Sequence, residues 1–139
     1  EFFVNVDPAT CKDAGLHIDK HTVKWWTEQT KEAREAWQVN PLPLDEALDK
    51  FTQFYGFDSV PIWGYGSNFD VVILENAMTL SGWNENRNIG EKFPWKFWDI
   101  NCLRTLSNVL DKRLPKKNNH NALDDATAQG NLLIEILKS

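Results

Sequence analysis

The chain has 139 residues, of which 42% are apolar and 25% are charged, and its formal net charge is −5. This length and this apolar content predict one folded domain with one core and argue against a disordered chain. The acidic charge argues against a protein that coats nucleic acid or a membrane surface, although it is compatible with a site whose carboxylates hold cations.

The N-terminal part predicts one strand followed by helices. Residues 1–6 (EFFVNV) are rich in aromatic and β-branched side chains and predict a strand, which the sequence DPAT closes as a turn. Residues 19–30 predict a helix with Asp19 as its N-cap, because aspartate accepts hydrogen bonds from the first free backbone N–H groups. Residues 30–37 predict a second short helix or an extension of the first.

The middle of the chain predicts a helix, a strand and a further helix. Residues 41–56 predict the clearest helix, since their apolar side chains recur at helical spacing and Gly56 ends the pattern. Residues 59–66 predict a short buried strand, and residues 68–82 predict a helix with Asn68 as its N-cap.

The C-terminal part predicts a strand and a long final helix between polar loops. Residues 83–94 predict a polar loop, residues 97–106 a strand or a strand running into a helix, and residues 110–119 a basic loop. Residues 121–139 predict the final helix. Its predicted apolar face consists of Leu123, Ala126, Leu133 and Leu137.

Strands that alternate with helices predict an α/β domain with the sheet in the middle and helices on both faces. No linker or repeat divides residues 1–139, so they are predicted to form a single domain. In open α/β sheets, ligands bind at the carboxyl ends of the strands. The segments GYGSNFD (64–70) and NNHNALDD (118–125) lie at loop-to-helix junctions where such a site is expected.

Two aspartates and one histidine make up the candidate site. Asp70 and Asp125 are each predicted in the first turn of a helix, where the helix dipole favours an ionised carboxylate. If the fold brings them together, the two carboxylates form a hard-oxygen site suited to Mg²⁺ or Mn²⁺. His120 precedes the last helix, and its imidazole titrates near neutral pH, which suits a base that takes a proton from an attacking water.

Each of these residues also has a purely structural interpretation. An aspartate in the first turn of a helix is common and usually acts only on the helix dipole. A single histidine before a helix is more often a solvated or hydrogen-bonded loop residue than a base. Asp124 is assigned such a structural role, because neighbouring helix positions point roughly 100° apart and cannot easily address one metal.

The order of four short segments strengthens the functional interpretation. These segments are HTVKWW (21–26), IWGYGSNFDVVIL (62–74), PWKFWDINCLRTL (94–106) and HNALDDATAQ (120–129). Together they resemble the DEDDh 3′-5′ exonucleases of the RNase H-like fold, and most closely the phage- and prophage-type branch described as exonuclease VIII-like. Single short motifs match by chance, but an ordered set of four is far more specific.

The resemblance implies a metal-dependent 3′-5′ exonuclease that acts on DNA or RNA by two-metal phosphodiester hydrolysis. Asp70 then corresponds to the second-motif aspartate of that family, His120 to its general base and Asp125 to its final metal ligand. The implied cofactor is Mg²⁺ or Mn²⁺, and the implied partner is the 3′ end of a nucleic acid. The candidate contacts to that nucleic acid are Trp25, Trp26, Asn68, Phe69 and Arg104. The two tryptophans could stack on a base, but at least one of them is expected to belong to the core, and Arg104 is expected to have a structural or phosphate-adjacent role.

One motif of that family has no match in the sequence. It is a strand that carries Asp-x-Glu, and none of the early acids, Glu1, Asp7 and Asp13, has that spacing. The resemblance therefore implies an N-terminally incomplete domain that keeps two of the four carboxylates, binds metal weakly and is compatible with an inactive form. It also implies an exposed sheet edge, and hence a homodimer or other self-association.

Two other classes of function compete with the exonuclease. The first is a non-catalytic nucleic-acid-binding or interaction module with the same fold. The second is a structural domain whose aspartates only stabilise helix ends. Convergence of Asp70 and Asp125 on one cleft favours the exonuclease over this last class.

The cysteines and the apolar runs predict where the protein works. Cys11 and Cys102 are far apart and have no paired spacing, so we predict reduced thiols in a cytoplasmic protein without a disulfide framework. No signal peptide is predicted, and the longest purely aliphatic run, residues 71–74, is far too short to span a membrane.

Overall fold

Helices and two short strands alternate along the part of the chain that the computed structural model describes, which is residues 1–56, 58, 60–85, 92–115 and 121–139. The elements are, in chain order, α1 (Pro8–Asp13), α2 (Lys20–Thr27), α3 (Lys31–Ala36), α4 (Leu44–Tyr55), β1 (Ile62–Gly64), α5 (Ser67–Leu80), a 3₁₀ turn (Phe97–Asp99), β2 (Ile100–Cys102), α6 (Leu103–Val109) and α7 (Ala122–Lys138). Within these ranges, no helix is both long enough and apolar enough to cross a membrane.

β1 and β2 pair in parallel, with Ile62 opposite Ile100 and Gly64 opposite Cys102. Parallel strands need a long crossover connection, and α5 lies in the segment that joins them. Successive side chains of a strand point to opposite faces, so Ile62 faces one side of the sheet and Trp63 faces the other.

Helices therefore cover both faces of this sheet. Ile62 and Ile100 pack against a core built by α4, α5 and two tryptophans, whose buried members are Leu44, Leu48, Val71, Ala77, Met78, Trp83 and Trp95. Trp63 packs on the other face against a smaller core of α6 and α7, whose buried members are Leu103, Leu132 and Ile136. The predicted α/β class is confirmed, whereas the RNase H-like arrangement stays a prediction, because only two paired strands are found in the described part.

The described parts of residues 83–94 form a loop, as predicted, but Trp83 is buried in the first core rather than exposed, and residues 86–91 of this prediction lie outside the described residues. Trp83 is 2% exposed, and the adjoining Trp95 is 3% exposed. The indole N–H of Trp83 donates to Asp49 Oδ1 and that of Trp95 donates to Glu75 Oε1, each at 2.9 Å. A buried indole needs such an acceptor, and these two acids supply it.

The strand predicted over residues 1–6 is wrong. Only Val6 forms a β-bridge there, in parallel to Leu42, through the bonds Asp7 N–H to Leu42 O and Leu42 N–H to Asn5 O, each 2.8 Å. One bridge is not a strand, because a strand needs a ladder of consecutive pairs. The following DPAT is not a turn but the start of α1, with Asp7 as N-cap and a proline in the first turn.

The predicted helix boundaries are confirmed where a local capping residue sets them. Asp19 caps α2 by accepting from the Thr22 N–H at 2.7 Å, and Gly56 ends α4 with a φ of 79°. Residues 30–37 form a separate helix, α3, because Thr30 starts a new N-cap. Residues 97–106 are confirmed as a strand that runs into a helix.

Two details of the predicted helices are wrong. Asn68 is not the N-cap of α5, because Gly66 takes that position with a φ of 123°, which a side-chain-bearing residue rarely adopts. The buried face of α7 consists of Leu132 and Ile136, whereas Leu137, which was predicted to be apolar core, is 71% exposed. The predicted face had the right spacing but was rotated by about one position.

Candidate functional site

Asp70 lies in the first turn of α5, just after the carboxyl end of β1. Its carboxylate approaches the strand so closely that a Cβ atom on Gly64 would lie 3.2 Å from Asp70 Oδ2 and 3.2 Å from Ser67 Cα. The side chain lines a cavity of about 520 Å³ together with residues of β1, α4 and α5. The absent side chain of Gly64 thus makes room for a carboxylate at the end of the strand.

Asp125 lies in the first turn of α7, where Asn121 fixes the start of the helix. The Asn121 Oδ1 atom accepts from the Leu123 N–H at 3.0 Å and from the Asp124 N–H at 3.2 Å, so the helix has the side-chain N-cap that its first turn needs. Asp125 is exposed. It lines a cavity of about 240 Å³ whose other lining residues are Tyr65, Leu114, Pro115, Ala128 and Gln129.

The two aspartates lie near consecutive residues at the carboxyl end of β1. Asp70 approaches Gly64, and Asp125 shares a cavity with Tyr65, the residue that follows. Neither cavity is lined by both carboxylates, and within the described ranges no group of three or more His, Cys, Asp or Glu side chains is arranged to hold a metal ion. His120, predicted as the base, lies outside the described residues. Convergence of all three side chains stays a prediction.

Arg104 lies next to Tyr65 and Gly66, just after β1, and is held by an aromatic ring. It is exposed in the first turn of α6, and its Cζ atom lies 4.9 Å from the centroid of the Tyr65 ring. A Cβ atom on Gly66 would come within 3.3 Å of the guanidinium, so the glycine lets the cation pack against the backbone. Cation–π contact and close packing thus fix a positive charge at the carboxyl end of β1.

Two further predicted contact residues lie on the exposed side of α5. Asn68 is exposed, and Phe69 is 67% exposed although it is a large apolar side chain. They precede Asp70 in the first turn of α5, where successive side chains point roughly 100° apart, so the three side chains face different directions. An exposed phenylalanine there offers a flat surface to a ligand.

The predicted tryptophan pair lies elsewhere in the fold, on α2. Trp25 is 41% exposed, and its ring makes an edge contact with that of Trp26 at 5.0 Å. Trp26 lines a groove of about 560 Å³ formed by the N-terminal helices and their connections, together with Trp37 and Arg34. No residue of this groove also lines the Asp70 or the Asp125 cavity.

Cys102 was not predicted from the sequence to be a site residue. The pKa of its thiol nevertheless departs strongly from the ordinary value. The Thr105 hydroxyl and N–H, followed by the Ser67 N–H and hydroxyl, hydrogen-bond the thiolate and lower its pKa from 9.0 to about 6. Cys102 pairs with Gly64, so its thiol belongs to the strand end that Asp70 approaches. The pattern Cys-x-x-Thr at the start of a helix is the only local sign of this, and it is a weak one.

Comparison with known families gives one match, and it covers nearly the whole chain. The family described as the 3′-5′ exoribonuclease Rv2179c-like domain matches residues 1–137. No curated protein and no solved structure gives a significant match.

Proposed function

The chain belongs to the family of 3′-5′ exoribonuclease Rv2179c-like domains, and from this premise we propose that it is a metal-dependent 3′-5′ exonuclease of the DEDDh type. In this proposal the substrate is the 3′ end of an RNA or DNA strand, and the fold is RNase H-like. The observation that carries the proposal is the placement of Asp70 and Asp125 at one end of β1, within a chain that the family covers almost entirely.

The donor chemistry at this end of the sheet fits Mg²⁺ or Mn²⁺. Asp70 and Asp125 offer carboxylate oxygens, which are the ligands that these hard cations prefer. Both are exposed in the first turns of helices, within reach of a cation from solvent. A cation bound here supplies charge for the scissile phosphate and acidifies a water molecule.

The remaining groups have distinct roles in the hydrolysis. A water oxygen forms a new bond to phosphorus and the bond from phosphorus to the 3′ oxygen of the preceding nucleotide breaks. That oxygen takes a proton from solvent to become the new 3′ hydroxyl, and a nucleoside 5′-monophosphate leaves. His120 takes the proton of the attacking water, because imidazole titrates near neutral pH. Arg104 pairs with a phosphate oxygen, for which its guanidinium has the matching fork of donors.

The exposed aromatic residues bind the nucleic-acid strand on either side of the scissile bond. Phe69 and Asn68 contact the substrate next to Asp70, and Trp25 and Trp26 contact a more distant part of it. Base stacking on an aromatic side chain contributes about 1–3 kcal/mol per base and tolerates every sequence. The exposure of Phe69 and Trp25 supports these roles.

We further propose that the chain self-associates as a homodimer or larger assembly and that it belongs to the exonuclease VIII-like branch. β1 and β2 each pair only with the other within the described ranges, so each has a second edge without a strand partner there. An open strand edge next to an apolar cavity favours pairing with another copy of the chain. The ordered motifs of the sequence remain the support for the branch.

A digestion assay tests the proposed function. Single-stranded RNA and DNA labelled at the 5′ end are incubated with the protein and Mn²⁺ or Mg²⁺, with and without EDTA. We expect shortening from the 3′ end that EDTA stops and that Asp125→Asn abolishes, because the variant removes a cation ligand. Asp124→Asn is the matched control and is expected to keep the activity.

One observation favours a second candidate, a nucleic-acid-binding module without catalysis. Asp70 and Asp125 line separate cavities, and among the described residues no larger cluster of acids completes a metal site. In that case the chain binds the labelled strands but leaves them intact with either metal. Activity that is equal in Asp125→Asn and in the unaltered chain contradicts the proposed mechanism.

A further inference from the structure

We propose that Phe97, Trp98 and Lys96 form an accessory site that binds an unpaired RNA base and its phosphate, at the opposite end of the sheet from Asp70. We call residues 96–99, which carry these side chains, the aromatic turn. The inference rests on the proposed function, since it takes a single nucleic-acid strand as the ligand. It adds a second point of attachment for that strand, which the proposed reaction itself does not use.

The aromatic turn lies at the amino end of β2. Its 3₁₀ turn, Phe97–Asp99, leads directly into β2, Ile100–Cys102, which runs parallel to β1. Asp70 follows the carboxyl end of β1, so the length of the sheet separates the two places. A strand rises about 3.3 Å per residue, so the ends of β2 lie roughly 10 Å apart. The aromatic turn is therefore not part of the candidate catalytic site.

Two large aromatic side chains of this turn are open to solvent. Phe97 is 79% exposed, which is the highest value for a large apolar side chain among the described residues, and Trp98 is 63% exposed. Their rings make an edge contact, with centroids 4.7 Å apart and planes at 77°. Neither side chain belongs to either of the two cores. Because apolar rings are unfavourable in water, a flat base that stacks on them gains free energy.

Hydrogen bonds hold the aromatic turn in one shape. The Lys96 N–H donates to Asp99 Oδ2 at 3.1 Å, and the Asp99 N–H donates to Lys96 O at 2.9 Å. The side-chain amide of Asn101 donates to Asp99 O at 2.8 Å. Trp95, which precedes the turn, is 3% exposed and attaches it to the first core. Because the turn is already ordered, a base that stacks on its rings binds at a lower cost in conformational entropy.

A positive charge accompanies the two rings. Lys96 Nζ lies 5.5 Å from the centroid of the Trp98 ring, in a cation–π contact. A base stacked on these rings has its phosphate near this ammonium group, which attracts the phosphate oxygens. Asp99, the acid of the turn, accepts a hydrogen bond from the Lys96 backbone N–H, so its negative charge is partly compensated. Aromatic faces combined with a cation are the chemistry of single-strand binding sites.

The size of the aromatic turn favours a nucleic-acid strand over a membrane. Tryptophan and lysine side chains also bind membrane interfaces, but that binding usually relies on the whole face of an amphipathic helix. The 3₁₀ turn has three residues and presents two exposed rings, which match one or two bases. The chain also belongs to a family described as exoribonucleases, so RNA is the strand that we expect here.

Binding of a short oligouridine labelled with fluorescein tests the accessory site without cleavage. Fluorescence anisotropy in EDTA measures the affinity of the complete chain and of its variants for this RNA. We expect Trp98→Ala and Phe97→Ala each to weaken binding about tenfold, because a base loses a stacking partner. Trp98→Phe is expected to keep most of the affinity, since an aromatic ring remains. Lys96→Gln is expected to reduce the slope of log affinity against log salt by about 0.7, because one phosphate contact is lost.

A matched variant and a second measurement guard against effects on folding. Phe3→Ala also removes an exposed phenylalanine, but outside the aromatic turn, and is expected to leave the affinity unchanged. Photocross-linking of an oligouridine that carries 5-bromouridine needs no variant, and we expect its adducts on Phe97 or Trp98. The accessory site is overturned if both alanine variants of the turn bind RNA as tightly as the unaltered chain, or if adducts form only elsewhere. Binding to phosphatidylglycerol vesicles that requires Trp98, while RNA binding does not, overturns it in favour of a membrane.

The accessory site and the proposed function fail in different measurements. Metal-dependent cleavage combined with RNA binding that does not depend on Phe97 and Trp98 overturns the accessory site and leaves the exonuclease standing. RNA binding that depends on these two residues, in a protein that never shortens RNA or DNA, supports the accessory site and rejects the exonuclease.

Discussion

Gly64 is the residue on which the position of the Asp70 carboxylate depends most directly. A methyl group there would lie 3.2 Å from Asp70 Oδ2 and from the Ser67 backbone. Gly64→Ala is therefore expected to lower the free energy of unfolding by about 1–3 kcal/mol and to displace the carboxylate. Chemical denaturation measures the first effect, and Mn²⁺ titration measures the second as weaker binding.

A second glycine provides the control for this substitution. A Cβ atom on Gly130, in the middle of α7, would have nothing within 4 Å. Gly130→Ala should stabilise the protein by about 0.5–1 kcal/mol, because alanine loses less entropy in a helix. Equal effects of the two substitutions would contradict the close approach of Asp70 to β1.

We expect Cys102 and Cys11 to differ in how their alkylation rates depend on pH. Alkylation by iodoacetamide should rise as pH increases through about 6 at Cys102, because hydrogen bonds from Thr105 and Ser67 stabilise its thiolate. Burial and the nearby charge of Asp7 raise the pKa of Cys11 above 9.0, so Cys11 should stay unreacted at neutral pH. Mass spectrometry of the two peptides measures both rates.

The substitution Thr105→Val tests the cause of this shift. The Thr105 hydroxyl is the largest contribution, so its loss should move the pKa of Cys102 back towards 9.0. The lowered pKa also stabilises the folded protein above pH 9, and this stabilisation is lost as the pH falls through about 6. A Cys102 that reacts only above pH 8 in the unaltered chain contradicts the assignment.

Residues with a local role could be recognised from the sequence, and those with a tertiary role could not. Asp19 and Gly56 act on the backbone of their own helix, so their type and position were sufficient. Asn68 has the right type for a cap, but Gly66 ends the preceding turn with a positive φ. The low pKa of Cys102 is caused mainly by Thr105, three residues on, and the smaller contribution of Ser67 comes from another helix, which no local pattern reveals.

At the scale of elements, the helices were predicted better than the strands. Helical hydrogen bonds join residues four apart, whereas a strand depends on a partner that is distant in sequence. β1 and β2 were recognised because each is short, begins with isoleucine and is followed by a helix. Residues 1–6 have strand-forming side chains, but in the described ranges they find only the single bridge to Leu42.

The face of α7 illustrates a second limit of sequence patterns. The spacing of apolar residues fits a stripe that contains Leu133 and Leu137 as well as one that contains Leu132 and Ile136. The structure buries the second pair against Leu103 of α6. This orientation decides that Asp125 and Gln129 line a cavity with Tyr65, so the candidate site depends on packing that periodicity alone left ambiguous.

At the scale of the whole molecule, the sheet separates two cores and places the candidate residues around one strand end. The α4–α5 core positions α5 and with it Asp70, while the α6–α7 core positions Arg104 and Asp125. The sequence predicted that the candidate residues would lie at the carboxyl ends of the strands, and Asp70 and the cavity of Asp125 lie beside that end of β1, whereas a shared site stays a prediction. It did not predict that the two carboxylates line different cavities.

The central claim is that Asp70 and Asp125 hold one cation between two helices that belong to different cores. Paramagnetic line broadening by Mn²⁺ in an NMR spectrum of the complete chain tests this most directly, because the ion broadens only the signals near it. The account predicts that low amounts of Mn²⁺ broaden residues 64–70 and 122–129 together, and that Asp70→Asn or Asp125→Asn removes the effect at both segments. Two results would contradict the claim. One is broadening of only one segment in the unaltered chain, and the other is a variant that loses the broadening at its own segment but keeps it at the other.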